Sequence, residues 1–141
     1  MIVEAIEANN PELRLALGGA ATPVDDLDDA HRTFFRFVDE GQTIGFAGLE
    51  TYGPNALLRS LVILPEARSI GLGRRATGLL LEQARAAGAA HAYLLTIDAV
   101  PFFADMGFEV VVRLDAPAEI LATRQAESLC SSTAVLMARP I

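Results

Sequence analysis

A mixed α/β fold is predicted for this chain: a central mixed sheet of six to seven strands with helices on both faces. Three observations predict it. Residues 57–96 read as strand, glycine-rich loop, amphipathic helix and strand, a unit whose two strands lie parallel in one sheet with the helix packed across a face. Upstream, apolar stretches are separated by Glu40-Gly41 and Gly53-Pro54-Asn55, turn sequences that join antiparallel strands. At 141 residues the chain is expected to form one domain, residues 1–141, large enough to bury about two-thirds of its unfolded surface without disulfide or metal.

Met1 to Glu7 alternates as a short strand, and Asn9-Asn10-Pro11 then opens a helix through Leu13, Leu17 and Gly18. Residues 22–29 are polar and read as a loop or a single helical turn. Strands are expected at His31 to Asp39, Gln42 to Tyr52 and Leu57 to Leu64, the last closed by Pro65, which lacks an N–H for the ladder. After the loop, Leu72, Ala76, Leu79 and Leu80 recur at helical spacing. Arg74, Arg75, Glu82 and Arg85 fill the other positions, and Gly88 stops the helix. A strand follows at His91 to Thr96, then a short helix ending at Gly107-Phe108, and a sixth strand to Arg113. Asp115 and Pro117 open a short helix over Ala116 to Thr123, and Thr133 to Ala138 is the final strand.

The loop Arg68-Ser69-Ile70-Gly71-Leu72-Gly73 points backbone N–H groups and the positive end of a helix at whatever docks there, so a phosphate-bearing ligand is expected. Three phosphate-binding arrangements compete. A Walker A loop needs Lys and Ser or Thr after its second glycine, and here Arg74-Arg75 follow Gly73. A dinucleotide fingerprint fits Gly71-Leu72-Gly73-Arg74-Arg75-Ala76, with Asp98 near the end of the next strand. However, Pro65 to Ile70 intervene where that fold puts its first glycine directly at the strand end. The third arrangement is Arg68-x-x-Gly71-x-Gly73 with Pro65 upstream, followed by Phe102-Phe103-Ala104-Asp105-Met106-Gly107-Phe108. It resembles the GNAT superfamily of acyl-CoA-dependent N-acetyltransferases, and the similarity covers roughly residues 44–113.

The resemblance implies a GNAT fold in which strands four and five splay apart, acyl-CoA wedges between them, and the last strand inserts beside the fifth. It implies cofactor contacts from Leu61, Val62 and Ile63 on the fourth strand, from Arg68, Ser69, Ile70, Gly71, Leu72, Gly73 and Arg74 in the loop, and from Thr96 and Phe103. At Gly71 and Gly73 a Cβ would obstruct the phosphate and limit positive φ. Acetyl transfer needs a neutral amine, and a primary amine has a pKa near ~10, so a proton acceptor is wanted. Glu50 is the candidate. With a hairpin turning about Pro54-Asn55 it lies opposite Arg59 on one sheet face; the competing reading is an exposed ion pair worth ~0.2–1 kcal/mol. Arg59 alternatively holds a substrate carboxylate, with Tyr52 and Ser128 as further substrate contacts. Many GNAT enzymes place a Tyr general acid four residues before the Gly of Gly-Phe, where this chain has Phe103, which has no proton to give. Water, Tyr52, Ser128 or Cys130 could serve instead. The segment Glu127 to Ser132 would overhang the site.

Leu57-Leu58-Arg59-Ser60-Leu61-Val62, Tyr93-Leu94-Leu95-Thr96, Phe102-Phe103 and Ser128-Leu129-Cys130 also resemble a small GNAT subgroup associated with arsenic resistance, which implies detoxification of a small amine. The competing classes are a non-catalytic acyl-CoA-binding or dimerisation domain, and a dinucleotide-binding redox protein. Formal charge is -7, with Asp25, Asp26, Asp28 and Asp29 in one cluster and Arg68, Arg74 and Arg75 in another. Nucleic acid is therefore not an expected partner. No apolar run approaches the ~20 residues that span a bilayer, so no membrane partner is expected, and the first residues lack the pattern of a signal peptide. One cysteine, Cys130, fits a reducing cytoplasm. His31 and His91 lie far apart, with no ligand spacing around them, so no metal is expected. Acetyl-CoA and a small amine are the expected partners, with a homodimer left open.

Overall fold

The computed structural model describes residues 1–19, 31–68, 71–123, 126 and 134–141. Strand β1 (Ile2–Ile6) leads to helix α1 (Pro11–Gly19), whose first turn is capped by Asn10 Oδ1 accepting from the Leu13 N–H at 3.1 Å. Strands β2 (Arg32–Asp39), β3 (Gln42–Tyr52) and β4 (Asn55–Ile63) follow as an antiparallel meander with β1 on its outer edge. Glu40 and Gly41 both have positive φ, 50° and 78°, the left-handed pair that a two-residue turn between twisted strands requires. Gly53, at φ 62°, starts the second turn.

A 3-10 turn (Pro65–Ala67) leads to α2 (Leu72–Ala86), then β5 (His91–Thr96), α3 (Val100–Asp105), β6 (Glu109–Val110), a 3-10 turn (Arg113–Asp115), α4 (Ala118–Leu121) and β7 (Val135–Pro140). The seven-stranded sheet has the order β1-β2-β3-β4-β5-β7-β6, parallel only between β4 and β5. This is the mixed sheet that the GNAT resemblance implies, with the last strand beside the fifth. The sixth strand is shorter than its β-branched sequence suggests. The Asp115 N–H bonds back to the Val112 carbonyl, which turns the chain off the edge and leaves Val112 and Leu114 exposed. The expected helix over Ala116 to Thr123 forms only at Ala118–Leu121, after Pro117. The start of the final strand at Thr133, the polar stretch 22–29 and the overhanging segment 127–132 lie outside the described residues.

Helices cover both faces. Leu72, Ala76, Leu80 and Ala84 of α2 pack on Phe35, Phe37, Leu49, Leu58 and Leu94 of one face. On the other, Leu13 and Leu17 of α1 meet Phe34, Phe46 and Val62, while Ile120 of α4 meets Leu57 and Leu136. The sheet between α1 and α4 carries the charged residues described next.

Candidate active site

β4 and β5 pair only from Asn55↔His91 to Leu58↔Leu94. Beyond that level β4 continues to Ile63 against β3, and β5 continues to Thr96 against β7, so the two strands part. The cause is a bulge. Phe46 pairs with Val62 and Gly48 with Arg59, which leaves Ser60 and Leu61 of β4 opposite Ala47 alone. Ser60 has φ 56°, a left-handed conformation that residues other than glycine rarely adopt. The extra residue resets the alternation. Val62 packs with α1 on one face, and Leu61 and Ile63 pack on the α2 side. Gly45 is required here, because a Cβ would lie 2.4 Å from the Val62 carbonyl oxygen.

The opening runs toward the start of α2. Gly71 caps that helix at φ 78° and has no side chain to bond the first-turn N–H groups, the kind of group an anion can use. Gly73 differs from expectation: it lies inside the helix without positive φ. Its missing Cβ instead leaves space 3.5 Å from Ile63 Cγ1 and 3.8 Å from Phe102 Cζ. Arg68 folds back, its Nε donating to the Ile63 carbonyl at 2.8 Å, and Arg74 pairs with Asp105 of α3. The Thr96 hydroxyl accepts from the Ala99 N–H at 3.0 Å, which fixes the entry to α3. Phe103 packs edge-on against Phe102 and Phe108. Ser69, Ile70, Ser128 and Cys130 lie outside the described residues.

Glu50 and Arg59 come together, but in a different register and environment from those expected. The hairpin turns at Gly53-Pro54, so Glu50 faces Leu57 and Gly48 faces Arg59; the ion pair is diagonal. Its side chains are 0% exposed, which corrects the exposed-pair reading. Glu50 Oε2 accepts from Arg59 Nη1 at 3.0 Å, and Oε1 accepts from the Tyr52 hydroxyl and lies 3.4 Å from Arg32 Nη1. Arg59 is thus placed toward Glu50, with no face open to a substrate carboxylate. Arg32 is the residue that sequence reasoning missed. It stands directly across from Glu50 only because Ile44 bulges out of β3 between the pairs Phe37↔Gly45 and Val38↔Thr43. Tyr52 is the half-buried end of the cluster, with the His31 ring 5.4 Å away.

Burial, then the hydrogen bond to Glu50, pushes the Tyr52 phenol up to about 12. Folding thus favours the protonated phenol, so this contribution to stability is complete below pH ~10 and is lost as pH rises toward about 12. Burial and the Glu119 carboxylate also raise Tyr93, the second of the two tyrosines. Phenolate absorbance of the folded protein is therefore expected to rise at higher pH than that of urea-unfolded chains, which titrate near pH ~10. A normal titration in the folded protein would contradict the cluster.

A sequence model described as Acetyltransferase (GNAT) family matches residues 3–108, from β1 to the residue before β6. This chain belongs to the GNAT family. Its fold is shared with solved GNAT structures. The N-acetylglutamate synthase of Neisseria gonorrhoeae, solved with coenzyme A and N-acetyl-glutamate, superposes with TM-score 0.74 at 17% identity, covering 99% of this chain and 35% of that one. The chain thus spans about a third of that synthase. Rv2747 of Mycobacterium tuberculosis, solved in complex with CoA, gives 0.76 at 16% identity over 100% and 99% of the two chains. An aminoglycoside 6′-N-acetyltransferase complexed with coenzyme A gives 0.71 at 17% identity over 99% and 97%. No curated protein sequence matches significantly. Among the described residues of this GNAT chain no three His, Cys, Asp or Glu side chains cluster as a metal site, and no helix is long and apolar enough to cross a membrane.

Proposed function

We propose that residues 1–141 form one catalytic domain that moves the acetyl group of acetyl-CoA directly onto the amine of a small molecule. The parting of β4 from β5 beyond Leu58 and Leu94 carries this reading, because it leaves a strand edge from the Ser60 bulge to the start of α2. On this reading the amide-bearing arm of the cofactor pairs with the edge at Leu61, Val62 and Ile63. Its pyrophosphate sits on the N–H groups after Gly71, flanked by Arg68, Ser69, Ile70, Leu72 and Arg74, and Gly73 leaves it room. Thr96 and Phe103 stand on the facing wall. The CoA in the solved relatives supports the assignment.

Both Glu50 oxygens are occupied and enclosed, so the carboxylate works through Tyr52. Tyr52 keeps its proton and donates a hydrogen bond to Glu50, which leaves a lone pair on its hydroxyl oxygen to accept a hydrogen bond from the neutral amine N–H as nitrogen attacks the thioester carbon; the proton that nitrogen then sheds passes to water. Collapse of the tetrahedral adduct breaks the C–S bond and expels CoA thiolate. A thiol pKa of about 8.5 makes that an adequate leaving group without an acid at Phe103. The Leu57 to Val62 and Ser128 to Cys130 segments favour arsenic-bearing amines as acceptors, on their resemblance to arsenic-resistance GNATs.

A thiol-release assay with acetyl-CoA across amino acids, arsenic-bearing amino-acid analogues, aminoglycosides and polyamines tests the proposal. Turnover with one class supports it. Tight CoA binding without turnover by any amine would favour a non-catalytic acyl-CoA-binding or dimerisation domain, and thermal stabilisation by NAD but not CoA would favour the redox reading. With an active amine, Tyr52→Phe is expected to lower kcat roughly tenfold at unchanged CoA affinity, the cost of one hydrogen bond to the attacking amine. A reading of Arg59 as carboxylate anchor predicts instead that Arg59→Ala raises KM only for carboxylated amines. A cytoplasmic homodimer belongs to the same proposal, supported by the single cysteine and by the apolar Val110, Val112 and Leu114 at the sheet edge, and is read by sedimentation velocity.

A further inference from the structure

Ser60 is the strained point of β4. With φ at 56° its Cβ crowds the backbone, and such a conformation persists only where its surroundings hold it. Arg59 supplies the hold. Its Nε donates to Ser60 Oγ at 3.1 Å, while its Nη1 donates to Glu50 Oε2 at 3.0 Å. The guanidinium carbon lies 5.7 Å from the centre of the Phe34 ring. Phe34, Gly48 and Arg59 stand in one row across β2, β3 and β4. A Cβ at Gly48 would come within 2.7 Å of the Phe34 ring and 3.2 Å of Arg59 Cγ, so glycine keeps the channel in which the arginine lies. Glu50 is braced in turn by Arg32 and Tyr52. A strap of polar groups thus runs from β2 and β3 to the hydroxyl of the strained residue.

We propose that Arg59 is a positioning residue: braced by Glu50, it holds Ser60 in the bulge and so sets the line of the β4 edge at Leu61 to Ile63. The inference rests on the reading of the β4–β5 opening as an acyl-CoA site, and it names what controls the cofactor's amide arm there. The strap does not reach the nucleotide end. The start of α2 is fixed separately by Gly71 and by the Arg74–Asp105 pair. Loss of the strap therefore misaligns the arm and leaves the phosphate cradle in place.

Isothermal titration of the full chain with CoA and with 3′-phosphoadenosine 5′-diphosphate, which lacks the amide arm, separates the two ends. Lys at position 59 keeps a charge for Glu50 but loses the fork that also reaches Ser60, so Arg59→Lys is expected to raise the CoA Kd about tenfold while the diphosphate Kd stays within about twofold. Ser60→Ala, which removes only the accepting hydroxyl, moves the same way and carries the test alone if the lysine variant does not fold. Glycine adopts positive φ without a brace. Adding Ser60→Gly to Arg59→Lys is therefore expected to restore CoA affinity, a rescue that a general loss of packing would not show. Equal weakening of both ligands, no weakening of either, or failure of the glycine rescue overturns the proposal. If the wild-type chain binds the diphosphate but not CoA, or neither, the acyl-CoA reading falls and the inference with it. Wild-type CoA binding with indifferent variants removes the inference alone.

Discussion

Glu50→Ala is expected to destabilise the protein by about 3–5 kcal/mol, the cost of removing one partner from enclosed charges. Its carboxylate touches Arg59, Arg32 and Tyr52, and neither it nor Arg59 has side-chain surface open to water. Alanine leaves these donors facing a gap that the sheet is too well packed to close. Glu50→Gln keeps the volume and one accepting oxygen, so its loss is expected to be smaller. Urea unfolding followed by two probes measures both variants, with the slope against denaturant held to the wild-type value. A loss below ~1 kcal/mol for the alanine variant would mean that the cluster behaves as a solvated surface pair. The size of this effect also decides how kinetics are to be read. Inactivity of a Glu50 variant that has lost several kcal/mol says little about catalysis, whereas Tyr52→Phe removes one hydroxyl at the half-buried end and isolates the part it plays.

Sequence patterning made the strands, the turns and the start of α2 legible, because each follows from local chemistry: Gly53 for the turn, Gly71 for a left-handed cap, Pro65 to end the ladder. The arrangement of the charged cluster did not follow, and the reason is register. A one-residue bulge exchanges the faces of every residue beyond it. The bulge at Ile44 brings Arg32 opposite Glu50, and the extra residue at Ser60 sends Val62 to the α1 face. Neither bulge carries a glycine at its left-handed or displaced residue; the nearby Gly45 and Gly48 only make room for Val62, Phe34 and Arg59. Glu50 and Arg59 were brought onto one face by assuming a turn at Pro54-Asn55. The true turn, at Gly53-Pro54, moves the pairing by two residues and so preserves the face. Burial of the pair was illegible for another reason: Phe34, which lies under Arg59, comes from a strand two positions away in the sheet.

Gly73→Ala is expected to make the protein more stable and the cofactor weaker, an opposition that a structural glycine does not produce. Gly73 lies in the first turn of α2 with ordinary helical φ, and the nearest atoms to an added Cβ would be those of Ile63 and Phe102 at 3.5–4.0 Å, normal contact distances. Alanine in a helix is favoured over glycine by roughly 0.5–1 kcal/mol, so the melting temperature of the free protein is expected to rise by a few degrees. The same methyl group occupies the space between Ile63 and Phe102 through which, on the proposed reading, acyl-CoA approaches the N–H groups after Gly71. Displacing a phosphate from charge-assisted hydrogen bonds costs about 1.5–3 kcal/mol, so the CoA Kd is expected to rise between tenfold and a hundredfold. Gly71→Ala is the contrasting variant. Its Cβ meets nothing within 4 Å, but φ 78° is strained for any side chain, so stability is expected to fall along with affinity. Differential scanning calorimetry of the free variants and calorimetric titration with CoA measure both quantities. A stabilised Gly73→Ala protein that binds CoA as the wild type does would place the phosphates elsewhere and detach the glycine from the cofactor site.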